Sequence, residues 1–370
     1  MAFGLFKKSE KKVDTHGPKY HELTVKEVIQ ETKDAISIAF EHPGKDKIHY
    51  KSGQFLTLII PIDGKEVRRA YSLCSSPFVD SDLVVTVKRV DKGLMSNYLP
   101  DNLKKGDKIK VLEPMGQFVT EYDKSKKRHI IMFAGGSGIT PMMSIIKSII
   151  HQEPESIVSL IYCNRDIDSI IFKSSLESLQ TTFEGRLHVI HVLDNAPMNW
   201  QGYSGLLNND MLSKLVERIP DWGIDKTTYL MCGPEGMMKN VETLLEARQI
   251  PKSNIFKESF VQGTIKKEER QEASASDEII EREVTIRYEG DEHKILVKPN
   301  STILETALDQ GIDLPFSCQS GLCTACRGKA LSGKVKLDEE EGLSQSERDE
   351  GYVLTCVGHP LTDDVVIEIG

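Results

Sequence analysis

The chain has 370 residues, 39% hydrophobic and 28% charged, with a formal net charge of −9. That length calls for more than one core, and the composition excludes disordered and fibrous classes. No apolar run approaches the roughly 18 residues of a spanning helix, and the opening MAFGLFKKSEKK lacks a signal-peptide pattern, so the expectations are no membrane and a cytoplasmic location.

Residues 1–17 read as a solvated Lys-rich tail. From 18 to 124 the runs HELTVKEVIQET, DAISIAFEH, QFLTLIIPI, VRRAYSLCS, LVVTVKRV and KIKVLEP are strand-like and separated by turn residues, which predicts an antiparallel β-barrel. From 125 to 261 the pattern changes. HIIMFAGG, IVSLIYC, RLHVIHVL, TYLMCG and NIFKESF alternate with helical stretches near 140–151, 172–183, 207–219 and 235–248, the signature of an α/β doubly wound parallel sheet. The polar, charge-mixed residues 262–281 read as a linker. Residues 282–370 open with a hairpin, REVTIRYEG and DEHKILVKP, then a helix near 302–311, and are expected to form an α+β unit of the β-grasp type. This last segment carries nine Lys or Arg against seventeen Asp or Glu, so it holds −8 of the net charge. Such a balance repels nucleic acid and suits a partner with a basic face; a solvated acidic surface is the competing reading.

Cys318, Cys323 and Cys326 follow C-x4-C-x2-C, and 29 residues separate Cys326 from Cys356. This is the plant-type 2Fe-2S spacing, in which four soft, anionic thiolates hold two irons. Small residues between the cysteines (Gly321, Thr324, Ala325) let the loop wrap closely, with backbone N–H groups free to point at sulfur. Zinc is the competing reading, but its sites use paired C-x2-C units and only one occurs here. Cys74 and Cys163 sit in apolar strand contexts and read as buried structural thiols.

After HIIMFA comes Gly135-Gly136-Ser137-Gly138-Ile139-Thr140-Pro141 and then a helix. A Gly-rich turn there lets backbone amides and a helix N-terminus approach a pyrophosphate, although Pro141 takes the third glycine position of the dinucleotide fingerprint. In chain order, Arg69-Ala70-Tyr71-Ser72, Gly93-Leu94-Met95-Ser96, the glycine turn and Cys232-Gly233-Pro234 together resemble the ferredoxin-NADP reductase superfamily over residues 18 to about 260.

That resemblance implies an FAD barrel followed by a pyridine-nucleotide domain. Arg69 would pair with the FAD pyrophosphate, Tyr71 would stack on the flavin ring, and Ser72 would lie near its reactive nitrogen. Gly93, Met95 and Ser96 would offer turn amides, with Ala70 and Lys88 in the same cofactor-binding set. Taken singly, Tyr71 reads equally as a core aromatic and Arg69 as a surface charge. On the nucleotide side, Gly135, Gly136, Gly138, Thr140, Pro141, Gly233 and Pro234 would line the site, with Cys232 close to the hydride path. Glu258 and Phe260 would match the family's terminal acid and aromatic near the flavin; Ser72, Cys232 and Glu258 are the catalytic candidates. Asn164 and Arg165 face the adenosine end, where Arg165 suits a 2′-phosphate and Asp166 a 2′-hydroxyl, with a lean toward NADPH over NADH.

A nicotinamide yields two electrons as a hydride, a 2Fe-2S cluster takes one at a time, and a flavin converts between them. The predicted path therefore runs from NAD(P)H to FAD to the 2Fe-2S cluster to an external electron-accepting protein. The full layout, with GYVLTC before HPL and YCNRD before a helix, resembles the reductases of phenylacetyl-CoA epoxidases, steroid hydroxylases and the hybrid-cluster protein. In that group the acceptor is usually a non-haem iron oxygenase. A non-catalytic redox sensor is the alternative from another class, but it leaves the flavin and nucleotide motifs without work.

Overall fold

The structure, a computed structural model, describes residues 19–44, 47–260, 279–316, 319, 321, 323–340, 342–343 and 345–369. The expected tail, most of the expected linker and Cys318 lie outside these residues.

Six strands, β1 (Tyr20–Thr32), β2 (Ala35–Phe40), β3 (Phe55–Ile62), β4 (Lys65–Ser72), β5 (Leu83–Lys88) and β6 (Lys108–Leu112), pair in the order β4-β3-β6-β1-β2-β5. All the pairings are antiparallel. Leu73, just past β4, bridges to Val85 of β5, which joins the two edges and closes the barrel. Leu23, Leu56, Leu58, Val85 and Val87 fill its interior. Between β5 and β6 lies α1 (Leu94–Asn102). Every residue of AISIAF in β2 is buried, because β2 is an inner strand and Ala35 also belongs to the core of the next unit.

The second unit runs β7 (His129–Gly135), α2 (Ile139–Gln152), β8 (Ile157–Asn164), α3 (Lys173–Thr182), β9 (Leu187–Leu193), β10 (Tyr203–Ser204), α4 (Asn209–Val216), β11 (Thr227–Cys232), α5 (Glu235–Ala247) and β12 (Ile255–Glu258). Its sheet is wholly parallel, in the order β10-β9-β8-β7-β11-β12. The chain first builds outward from β7 to β10 and then returns to the other side of β7 with β11. The topological switch point, where such sheets take their ligands, therefore lies between β7 and β11.

The third unit contains β13 (Arg282–Tyr288), β14 (Asp291–Val297), α6 (Ile303–Asp309), β15 (Arg327–Ser332), β16 (Val335–Leu337), α7 (Gln345–Asp349), β17 (Tyr352–Leu354), β18 (Gly358–Pro360) and β19 (Val365–Ile369). Glu289 and Gly290 both have positive φ, 54° and 91°, as the two-residue turn of the β13–β14 hairpin requires. Thr302 and Glu305 form a capping box that starts α6. The last strand returns parallel to the first, giving the order β14-β13-β19-β15-β17, a β-grasp. Barrel, doubly wound sheet and β-grasp thus follow one another along the chain. Among the described residues no helix is long and apolar enough to cross a membrane.

Candidate functional site

At the switch point the turns after β7 and β11 interlock. A Cβ on Gly138 would stand 2.5 Å from the Cys232 carbonyl carbon, one on Gly233 would stand 2.8 Å from the Gly135 nitrogen, and one on Gly135 would overlap the Pro234 ring. Only hydrogen fits at these three positions. Gly136 adds a φ of 52°, so the chain turns back on itself just before α2. No side chain caps α2 or the 3-10 turn (Gly136–Gly138) that leads into it; the Ile139 N–H bonds back to the Gly136 carbonyl, so the amides of the glycine turn itself are the ones placed at the crevice. Thr140 is buried and its hydroxyl donates to the Ser137 carbonyl at 2.9 Å. Pro141 sits in the first turn, where a missing N–H costs no helical bond.

Cys232 and Glu258 are register neighbours on β11 and β12, and both are buried. Burial first, and the Glu258 carboxylate second, push the Cys232 thiol well above its ordinary pKa, so it stands as a neutral S–H. Asn164 closes β8, is buried, and has neither polar atom of its amide in a hydrogen bond of normal geometry. An orphaned amide beside a glycine turn fits a polar ligand. Arg165 next to it projects outward, with Nε 3.0 Å from Asp166 Oδ2 and Nη2 3.5 Å from Asp34 Oδ2. Its charge is therefore already shared by two carboxylates.

On the barrel side, Arg69 and Tyr71 pair across to Leu58 and Leu56, and Tyr71 packs against the barrel core. Arg69 Nη1 donates to the Arg68 carbonyl at 2.7 Å, which fixes the stem of its guanidinium. Burial raises the Tyr71 phenol above its ordinary range and keeps it neutral. Ser72 is buried and Ala70 half-buried. Gly93 caps α1 without a side-chain bond, and a Cβ there would overlap Ser96 Oγ. Asn97 Nδ2 holds this turn by donating to the carbonyls of Gly93 (2.6 Å) and Val90 (2.9 Å). The Met95 side chain is buried in the barrel core, so this residue offers the turn its backbone alone. Lys88, at the end of β5, brings Nζ to 3.0 Å from where a Gly136 Cβ would stand. Burial, aided by the neighbouring Arg165, lowers its pKa. Glycine turn, Cys232, Glu258 and Lys88 thus converge at one junction. Phe260 is 41% exposed at the last described position before 261.

In the β-grasp unit Cys323, Cys326 and Cys356 are all buried, and Cys326 and Cys356 share the unit's core. Thr355 donates both N–H and hydroxyl to the Cys326 carbonyl, each at 3.1 Å, which brings the 3-10 turn bearing Cys356, just after β17, against the loop. Gly321 has φ 73°, and a Cβ on it would stand 2.8 Å from Glu339 Cβ. Among the described residues no group of three or more His, Cys, Asp or Glu side chains is gathered as a metal site; Cys318 falls outside them. Buried thiols on a tight glycine-bearing loop are the donor chemistry a 2Fe-2S cluster takes.

Residues 22–120 match the oxidoreductase FAD-binding domain family, 132–243 the oxidoreductase NAD-binding domain family, and 286–361 the 2Fe-2S iron-sulfur cluster binding domain family. One component protein of the 1,2-phenylacetyl-CoA epoxidase of Escherichia coli K12 is 33% identical over 94% of this chain and 97% of its own. The chain belongs to the ferredoxin-NADP reductase superfamily, in the branch ending in a 2Fe-2S ferredoxin domain. The ferredoxin reductase component of the 3-ketosteroid-9-alpha-monooxygenase of Rhodococcus rhodochrous is 36% identical over 95% of this reductase and 98% of itself. Phthalate dioxygenase reductase shares its architecture, with a TM-score of 0.60 at 22% identity over 95% of this chain and 98% of the other. This reductase is an NAD(P)H oxidoreductase of FAD and a 2Fe-2S cluster.

Sequence reasoning missed the bolts between the reductase's first two units. Ser148 Oγ on α2 lies 2.5 Å from Ser52 Oγ and 2.8 Å from Ser76 Oγ, Ser144 Oγ donates to the Ser75 carbonyl at 2.5 Å, and Lys147 pairs with Asp80 at 3.0 Å. Ala35, Cys74 and Phe118 of the barrel join the core that α2 faces. The signal was present in ITPMMSIIKSII, a helix apolar all round with serines four residues apart, which suits close packing on two sides. Cys74 is a buried structural thiol as expected, while Cys163 is only half-buried.

Proposed function

We propose that this reductase serves the oxygenase component of a multicomponent oxygenase, with the phenylacetyl-CoA epoxidase type as the favoured acceptor. The observation that carries this is the full-length likeness to the epoxidase component from Escherichia coli, covering all three units in the same order. An acceptor presenting a basic face would meet the acidic cluster unit, with its net −8. When bound, the flavin and the cluster supply the conversion of a two-electron hydride into single electrons.

The chain's own residues do the rest. Arg69 and the start of α1 at Gly93 and Ser96, which no side chain caps, would hold the FAD pyrophosphate, while half-buried Tyr71 would offer a ring face to the flavin and Ser72 a hydroxyl near its reactive nitrogen. The glycine turn and α2 receive the nucleotide pyrophosphate, Asn164 satisfies its amide on the nucleoside, and Thr140 and the neutral Cys232 line the nicotinamide end with Glu258 behind. Because the thiol stays protonated, it would place no negative charge beside the nicotinamide. Cys318, Cys323, Cys326 and Cys356 hold the cluster.

Cys323→Ser tests the order of centres. The variant should keep NAD(P)H turnover with ferricyanide and lose cytochrome c reduction; undiminished cytochrome c reduction would remove the cluster from the path. Reconstitution with a phenylacetyl-CoA epoxidase oxygenase component and, separately, a ketosteroid oxygenase component then reads the acceptor as product formed per NAD(P)H consumed. Coupling with the ketosteroid component alone would refute the favoured acceptor.

A further inference from the structure

Strand β4 carries a second arginine whose work lies on the other side of the sheet. The Arg68 side chain is 7% exposed and is held by Glu66, whose Oε1 lies 2.6 Å from Nη2 and 2.8 Å from Nε. Its guanidinium lies 4.5 Å from the centroid of the Phe316 ring, and Nη1 donates to the Phe316 carbonyl at 3.4 Å. Phe316 belongs to the cluster unit, packs against that unit's core, and stands two positions before Cys318. One side chain of the barrel therefore grips the chain where it enters the cluster loop.

The register places Arg68 within one face of the barrel sheet. Arg68 lies across from Ile59, Ile59 from Lys110, and Lys110 from Glu22, so these residues share one face of the sheet. The neighbours Leu58 and Ile60 belong to the barrel core, so Ile59 points away from it, yet Ile59 is only 3% exposed. Lys110 shares this face, with Nζ 4.4 Å from the Tyr20 ring and 4.0 Å from Glu66. In a strand successive side chains alternate, so Arg69 and Tyr71 take the face opposite to Arg68. A single rigid strand reaches the flavin side and the cluster unit at once.

We propose that Arg68 docks the cluster unit on the barrel through Phe316, and so sets the rate at which electrons pass from flavin to cluster. This rests on the reading that the flavin precedes the cluster in the path. Each hydride brings two electrons from NAD(P)H, and they leave singly, each reducing one ferric iron of the cluster to ferrous before an added oxidant takes it up. Arg68 is a positioning residue: the planar guanidinium stacks on the ring and reaches the carbonyl together, which a lysine ammonium cannot do.

The test uses the full-length holoprotein and the variants Arg68→Ala, Arg68→Lys and Phe316→Leu, with rates read per bound cluster. Under anaerobic rapid mixing, flavin bleaching by NAD(P)H should be unchanged in all three. Cluster reduction should slow about tenfold in Arg68→Ala, equivalent to about 1.4 kcal/mol of lost docking, and by less in Arg68→Lys. The double variant Arg68→Ala with Phe316→Leu should be no slower than the worse single one, since both remove the same contact. Small-angle scattering of the oxidised proteins supplies a readout independent of turnover, with a larger radius of gyration expected for Arg68→Ala. Parental cluster reduction and parental scattering in Arg68→Ala would overturn the docking role. A parent whose cluster is never reduced by NAD(P)H would instead overturn the series of centres on which it rests.

Discussion

Gly138→Ala probes the junction proposed to receive the nicotinamide nucleotide. The added methyl would stand 2.5 Å from the Cys232 carbonyl carbon and 2.9 Å from the Gly233 nitrogen, and both are backbone atoms that cannot rotate aside. An ordinary contact is about 3.5 Å, so the turns after β7 and β11 must part by roughly 1 Å. Overpacking of this kind costs about 1–3 kcal/mol of stability, and a misplacement near 1 Å in a reacting pair can cost about 100-fold in rate. Rapid-mixing absorbance at saturating NAD(P)H should therefore show flavin reduction slowed by about two orders of magnitude, with a lowered thermal midpoint. Gly236→Ala is the matched control, in the first turn of α5 just past the same loop: its Cβ would meet nothing within 4 Å and gains up to about 1 kcal/mol of helix propensity. Parental flavin reduction in Gly138→Ala, with stability equal to the control, would refute the claim that these two turns form the nucleotide crevice.

Asp34→Asn should favour NADPH. It releases Arg165 from an exposed, solvent-screened pair 3.5 Å long and so raises kcat/KM for NADPH relative to NADH; an equal change with NADH and NADPH would show that Arg165 does not meet the 2′-phosphate. His129 makes stability depend on acid. It is fully buried and its Nδ1 lies 3.2 Å from the Pro220 carbonyl, which can only accept, so the neutral ring carries its proton on Nδ1 and its Nε2, 2.9 Å from Ser159 Oγ, is then the acceptor. Burial lowers its pKa from 6.5 to about 4. Between those values the unfolded chain binds the proton and the folded chain does not, so stability present above pH 6.5 falls on acidification by up to about 1.4 kcal/mol per pH unit. Denaturant midpoints followed through Trp222, whose ring centroid lies 5.7 Å from His129, should show this slope in the parent and a shallower one in His129→Gln; parallel curves would exclude His129 as its source.

The barrel and the parallel sheet were legible because their strands are long, apolar and separated by turn residues, so periodicity and chain order coincide. AISIAF and HIIMFA need no context to be recognised as buried strands. The β-grasp unit was read only in part. Its hairpin and α6 announce themselves by the Glu289-Gly290 turn and the Thr302 capping box, but RGKALS of β15 and VKL of β16 are short and polar, and they become strands by pairing with β19 and β18. In the candidate site, Gly138 and Gly233 carry a motif, and the structure adds why each must lack a side chain. Asp34 lies in a β-turn 131 positions from Arg165, and Arg68 lies 248 positions from Phe316, so no local pattern joins either pair.

The two interfaces of the barrel differ in kind. Toward the nucleotide unit it shares a hydrophobic core through Ala35, Cys74 and Phe118 and a buried serine net on α2. Toward the cluster unit it offers a charged face on which Arg68, held by Glu66 with Lys110 beside it, makes the contact with Phe316. A hydride must be handed over at bonding distance, so the first interface has to hold its geometry to a fraction of an ångström and gains nothing from opening. An electron tunnels across a gap, so the second needs proximity without close registry. Polar contacts suit that demand, because their parting leaves groups that water can solvate, whereas parting the α2 interface would expose apolar core. An acceptor with a basic face can then compete for the same acidic unit once it has been reduced. A salt series follows: screening should slow flavin-to-cluster transfer and leave flavin reduction by NAD(P)H untouched. Equal salt sensitivity of the two steps would mean that both interfaces open during turnover, against the shared core seen at α2.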